Sequence, residues 1–198
     1  MRKFLLFAFA CGALTLSAQK TLTANSPDGR LTVNVTVGDR LSYSINHDGQ
    51  QVLAPSPIAL AISEKEIWGQ NPRLRNSSKR SVSEVIKSPF YRKDQIEDVY
   101  TLLTLNFRPD WSVEFRVYDD GVAYRFVTKC KNPFTIQNET VAYCFDKDYT
   151  TVVPYVQVGR DGDYESQFHN SFENFYSTAK ISELNKQRFM FLPLVVEL

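Results

Sequence analysis

The chain is poor in the residues from which small catalytic and metal centres are usually built. Its 198 residues hold 3 cysteines, 2 histidines, 2 methionines and 2 tryptophans. His47 and His169 stand far apart with no cysteine beside them, so no metal triad and no zinc-type ligand spacing exists, and the metal ligands assigned are none. There is no Gly-rich phosphate loop and no serine or cysteine nucleophile motif. A formal net charge of +1 removes any electrostatic reason to expect nucleic acid or an acidic membrane surface. Basic and aromatic residues are too sparsely interleaved to suggest nucleic acid either. Beyond the first 20 or so residues no apolar run is long enough to cross a bilayer as a helix.

What the chain does have is a leader and a succession of strand patterns. Arg2 and Lys3 precede an apolar stretch, Phe4 to Leu16, and Leu16-Ser17-Ala18 is a small-residue cleavage site. Residues 1–18 are therefore expected to be a signal peptide, with a mature chain starting at Gln19. Cys11 offers lipoprotein processing as an alternative, but Ala8-Phe9-Ala10 is a poor lead-in to it. Export, most simply to a bacterial periplasm, places Cys130 and Cys144 in an oxidising compartment. They are a candidate disulfide pair, with a free pair of thiols as the equal alternative.

Leu31, Val33, Val35 and Val37 alternate with polar residues, as do Leu41, Tyr43 and Ile45, and turns at Asp28-Gly29, Gly38-Asp39 and Asp48-Gly49 separate the runs. Ile58 to Ile62 reads as a strand buried on both faces. Ser63 to Ser88 is charged and Ser-rich, either a long connection or a pair of exposed edge strands. The organising stretch is Trp111 to Phe126, two alternating runs meeting at Asp120-Gly121. A type I′ turn there requires positive φ and would set Phe115 opposite Phe126 and Arg116 opposite Arg125. Two facing arginines ask for acidic partners; Glu114 answers one, and the second points to a carboxylate or a ligand from elsewhere, with a solvated outer face as the plainer reading of both. Phe189 to Leu198 reads as a last apolar strand. Residues 19–198 are thus expected to form one all-β, antiparallel domain.

Several motifs in fixed order resemble the N-terminal domain of glycoside hydrolase family 97. They are SPDGRLTVNV (Ser26 to Val35), Leu41-Ser42-Tyr43, Val52-Leu53-Ala54-Pro55-Ser56, FRVYDDGVAYRF (Phe115 to Phe126), Gly162 to Glu165, and Ile181 to Leu184. Ile58-Ala59-Leu60 stands where the family often has Leu-Gly-Leu. The resemblance implies a β-super-sandwich of galactose-mutarotase-like type, followed in the complete enzyme by a catalytic (β/α)₈ barrel and a C-terminal β domain. It also implies calcium-dependent hydrolysis of α-glucosides or α-galactosides, with α-linked oligosaccharide as substrate. The two carboxyl groups that such hydrolysis needs come from the barrel in that family. This chain is expected to stop before the barrel, so its catalytic residues are none, it is inactive alone, and no calcium ligand is identifiable in it.

Asp163, Tyr164, Glu165, His169 and Glu173 form the richest polar–aromatic cluster. A ring beside carboxylates suits the apolar face and hydroxyls of a sugar; a polar loop packing on a neighbouring domain accounts for the same residues. Trp68 and Trp111 are candidate sugar platforms, although Trp111, heading a strand, fits a core or rim aromatic better. Asp119 and Asp120 are explained by the turn, and Glu197 faces water or an interdomain site. The alternative to the glycosidase reading is a stand-alone carbohydrate-binding or scaffold module.

Overall fold

A computed structural model describes residues 19–90, 92–157, 165–168 and 174–198. The chain forms thirteen strands among these residues: β1 (Lys20–Asn25), β2 (Leu31–Val37), β3 (Leu41–His47), β4 (Gln50–Ala61), β5 (Ile67–Trp68), β6 (Arg73–Lys87), β7 (Gln95–Arg108), β8 (Trp111–Val117), β9 (Val122–Thr128), β10 (Asn138–Val141), β11 (Thr150–Val153), β12 (Ser177–Lys180) and β13 (Val195–Glu197). Two short 3₁₀ turns complete the described elements.

Two meanders make a sandwich. The first sheet runs β1-β2-β3-β4-β10, with β5 also on β4, and the second runs β6-β7-β8-β9. All pairings are antiparallel. Strict alternation puts Leu31, Val33, Val35 and Val37 of β2 inward, and Val113, Phe115 and Val117 of β8 inward from the opposite sheet. These side chains meet in one apolar cluster. Tyr43 packs against Phe115 with ring centroids 5.6 Å apart. The type I′ chemistry is found between β3 and β4, where Asp48 (φ 49°) and Gly49 (φ 80°) both take positive φ. Asp48 also accepts a 2.6 Å ion pair from Arg30, which holds this turn to the one before β2.

The β8–β9 hairpin departs from the expected register. Val117 pairs with Val122, Phe115 with Tyr124 and Glu114 with Arg125. The turn pivots on Asp119-Asp120, with Tyr118 N–H donating to Gly121 O at 2.8 Å. Neither Asp120 nor Gly121 takes positive φ. The pivot sits one residue earlier because the Asp119 carboxylate accepts the Asp28 N–H at 2.9 Å, which fastens this turn to the β1–β2 turn. Pairing shifts by two residues, so every side chain keeps its face. Arg116 and Arg125 no longer oppose each other: Arg116 faces Ala123, and Arg125 forms a 2.7 Å ion pair with Glu114.

The stretch from Ser63 to Ser88 resolves into β5 and the long edge strand β6, which is exposed except at the buried Val82 and the half-buried Leu74. β5 is no exposed connection, because it carries Trp68 into the core, 4% exposed. Gly69 makes this possible. At φ 99° its Cα lies so near β4 that a Cβ would come within 2.4 Å of Ile58 O. The expected strand from Phe189 to Leu198 is also shorter than its apolar pattern. Pro193 has no N–H to give a ladder, and only Val195–Glu197 forms a strand, after an isolated Tyr155–Met190 bridge. β13 joins β11 and β12 in a separate sheet, ordered β12-β11-β13.

Candidate functional site

The β8–β9 hairpin divides the two most structured surface features. Its outward face carries a compact ion cluster. Asp98 of β7, 9% exposed, accepts from Tyr118 Oη at 2.9 Å and from Arg116 Nη1 at 3.3 Å. The Arg116 guanidinium lies over the Tyr100 ring, 4.6 Å from its centroid. Asp98 is thus the second acid that the arginine pattern asked for. Its contribution is local, because the group sits at the margin of the sheet and every charge in it is answered.

The inward face opens on an open, largely apolar groove of about 1010 Å³. Tyr43 of β3, Tyr124 and Phe126 of β9, and Tyr143 and Phe145 beyond β10 line it. Burial pushes the Tyr43 phenol up to about 12, with the nearby Tyr143 and Cys144 adding to the effect. Burial raises Tyr124 further, helped by the negative charge of Glu139. Both of these buried phenols therefore stay neutral near pH 7, and this part of the groove presents rings and hydroxyls in place of charge. Glu139 and Arg125 stand at its rim.

Carboxylates elsewhere are spent on turns. Asp28 accepts from Ser26 Oγ and from the Arg30 N–H, and these hydrogen bonds, the Ser26 one foremost, hold its carboxyl below the usual range. Asp148 accepts from both the N–H and Oγ of Ser182, each at 2.8 Å. Glu66 accepts from Trp68 Nε1 at 2.9 Å. No group of three His, Cys, Asp or Glu side chains converges among the described residues. These residues do not by themselves fit a calcium site.

Of the residues singled out from sequence, Asp163, Tyr164, His169 and Glu173 lie outside the described residues. Glu165 begins a short 3₁₀ turn and is exposed. Trp68 and Trp111 are not sugar platforms. They stack on each other in the core, centroids 5.6 Å apart and planes 3° from parallel. Cys130 and Cys144 are both free. Each is tied to a different neighbour: Cys130 N–H to Thr128 Oγ1, and Cys144 N–H to Ser56 Oγ at 2.9 Å. Glu197 is exposed at the edge strand β13. Ser56 is a residue the sequence reading missed as a site. It is wholly buried and bonds both Ala54 O and the Cys144 strand, and the Pro-Ser-Pro context was the only sign of it.

Among solved structures, this sandwich is shared with family 97 glycoside hydrolases. One is an enzyme from Pseudoalteromonas sp. strain K8 in complex with panose (TM-score 0.67, 19% identity, 82% of this chain and 25% of that one). A beta-arabinopyranosidase structure is also similar (TM-score 0.66, 21% identity, 79% of this chain and 26% of that one). At that identity the likeness is one of fold.

Sequence goes further. The family model "Glycosyl-hydrolase 97 N-terminal" matches residues 24–198, and the chain belongs to that family. It is 54% identical, over 98% of its length, to a retaining alpha-galactosidase of Bacteroides thetaiotaomicron. A probable retaining alpha-galactosidase of Streptomyces bingchenggensis is 29% identical over 64% of the chain. The chain spans only 29% and 20% of the lengths of these two relatives.

Proposed function

We propose that the chain is the non-catalytic N-terminal β-sandwich of an exported α-glycosidase, of α-galactosidase type, that packs on a catalytic (β/α)₈ barrel and helps to form its carbohydrate site. The observation that carries this is the 54% identity to 29% of a retaining alpha-galactosidase. A retaining mechanism needs two carboxyl groups roughly 5–5.5 Å apart across the scissile bond. Asp28, Asp48, Asp98, Glu114 and Asp148 are each held by a hydroxyl, an amide or a guanidinium. These five acids are committed to structure, and we place the acid and nucleophile in the remainder of the enzyme. Calcium, if this enzyme uses it, draws its ligands chiefly from outside the described residues.

The test compares the complete gene product with residues 19–198 alone on nitrophenyl α-galactoside. Turnover by the former and none by the latter is expected. Metal-dependent hydrolysis by the short chain would place the chemistry here after all, and a reading frame that stops after the Leu198 codon would favour a stand-alone carbohydrate-binding module. Export is checked by the mature N-terminus, expected at Gln19. No helix among the described residues is long and apolar enough to cross a membrane.

A further inference from the structure

The groove has an asymmetry that ordinary ligand pockets lack. One wall uses alternate residues, Glu139, Val141, Tyr143 and Phe145, as a strand does when one face lines a cavity. The other wall uses five in a row, Val122 to Phe126. Consecutive residues of a strand point to opposite faces, so all five meet one cavity only where the strand's hydrogen-bonding edge looks into it. β9 is the last strand of its sheet. The Tyr118 N–H to Gly121 O bond sets the ladder, making Arg116–Ala123 and Glu114–Arg125 the hydrogen-bonded pairs. The N–H groups of Val122, Tyr124 and Phe126 then point away from β8, toward the groove.

The opposite wall is apolar and uncovered: Val141 is 44% exposed and Tyr143 is 58% exposed. An open strand edge beside exposed apolar side chains is a template for another strand. Among the described residues the sheets are also unequal, six strands facing four, and β9 is an edge of the smaller one. The polypeptide itself passes the groove at Leu192, which lines it. Six residues reach at most ~22 Å, so the chain beyond β13 starts within easy range.

We propose that the groove is the seat of a fifth strand of the second sheet, supplied by the part of the same polypeptide that follows residue 198 in the complete enzyme. The strand pairs with the outward edge of β9 and sets alternate apolar side chains on Tyr124 and Phe126 on one side and Val141 and Tyr143 on the other. This rests on the reading of the chain as one part of a longer glycosidase.

Residue-resolved amide hydrogen exchange, run on the 198-residue chain and on the complete gene product, tests it. In the complete product the amides of Val122, Tyr124 and Phe126 are expected to exchange at least ~100-fold more slowly than in the short chain. Tyr143→Asp, at an exposed position, is expected to leave the short chain's melting temperature unchanged and to remove at least ~10-fold of that protection from the complete product. Equal, fast exchange in both proteins overturns the strand and leaves the longer-enzyme reading standing. Protection that is present in the short chain and lost on dilution identifies a second copy as the occupant and also overturns it. Unchanged protection in Tyr143→Asp removes the groove as the seat. A gene that ends at residue 198 removes the underlying reading together with the strand.

Discussion

The sandwich and the small C-terminal sheet are both antiparallel, yet different forces hold them. In the sandwich, two apolar faces close on each other, with Leu41, Ile58, Leu105, Val113 and Phe115 at 0% exposure. The sheet of β11, β12 and β13 has few such residues. Thr151, Val153, Tyr155 and Val156 are buried there, and polar bonds do much of the remaining work. Thr151 Oγ1 donates to Ala179 O, Tyr155 Oη accepts the Asn185 N–H, Gln167 bonds residues on both sides of Arg188, and Arg188 Nη2 reaches Val156 O. The lesson is one of directionality. Burial tolerates small shifts and fails only when volume is lost, whereas a sheet stitched by side-chain hydrogen bonds fails one bond at a time.

Substitutions can break or sharpen that contrast. Phe115→Ala removes a fully buried ring and should cost about 3–5 kcal/mol, read as a large drop in the cooperative melting temperature. Gly69→Ala should come next, at about 2–4 kcal/mol, since a Cβ meets Ile58 O at 2.4 Å and φ is 99°. A wild-type melting curve for either variant would show that close packing is not what holds the sandwich. Tyr155→Phe should cost only ~0.5–1 kcal/mol and speed amide exchange in β11 to β13 alone. Exchange that rises equally in β2 would mean that the two regions unfold as one.

Acid should separate the regions as well. Asp148 is held below the usual aspartate range, first by the Ser182 N–H and then by the Ser182 hydroxyl. A lowered folded value means that its support is complete above the ordinary aspartate range and is lost as pH falls through the folded value. Acid below the ordinary aspartate range is therefore expected to loosen the Ser182 amide before the β2 and β8 amides, and Asp148→Asn should abolish that pH dependence. The smallest effect belongs to Gly121→Val. Gly121 lacks positive φ and a Cβ there meets nothing within 4 Å, so a change below ~0.5 kcal/mol is expected. A larger loss would restore the Asp120-Gly121 pivot that the structure replaces with Asp119-Asp120.

The legible parts of this protein are those set by period-two alternation. β2, β3, β8 and the inward face of β9 follow directly from Val, Leu, Tyr and Phe at alternate positions, and so does the choice of an antiparallel all-β fold. Register was less accessible. Local turn chemistry favoured Asp120-Gly121, but a hydrogen bond between residues 28 and 119 moved the pivot, and no local rule reports a partner so distant in sequence. Trp68 misled for a similar reason: the stretch around Ile67 and Trp68 is charged and polar, and only the close approach of Gly69 to β4 carries Trp68 inside. Most of the polar cluster from Asp163 to Glu173 lies outside the described residues, whereas the groove went unnoticed because its walls come from four separate parts of the chain.

The sequence by itself determined the fold class, the family and which side of each long strand is apolar, because alternation and ordered motifs are properties of neighbours along the chain. Only the tertiary structure decided which residue opposes which, that Asp98 answers Arg116, that Trp68 and Trp111 stack in the core, and that the edge of β9 opens on an apolar groove. Each of these depends on contacts between segments far apart in sequence, and their geometry exists only once the two sheets have closed.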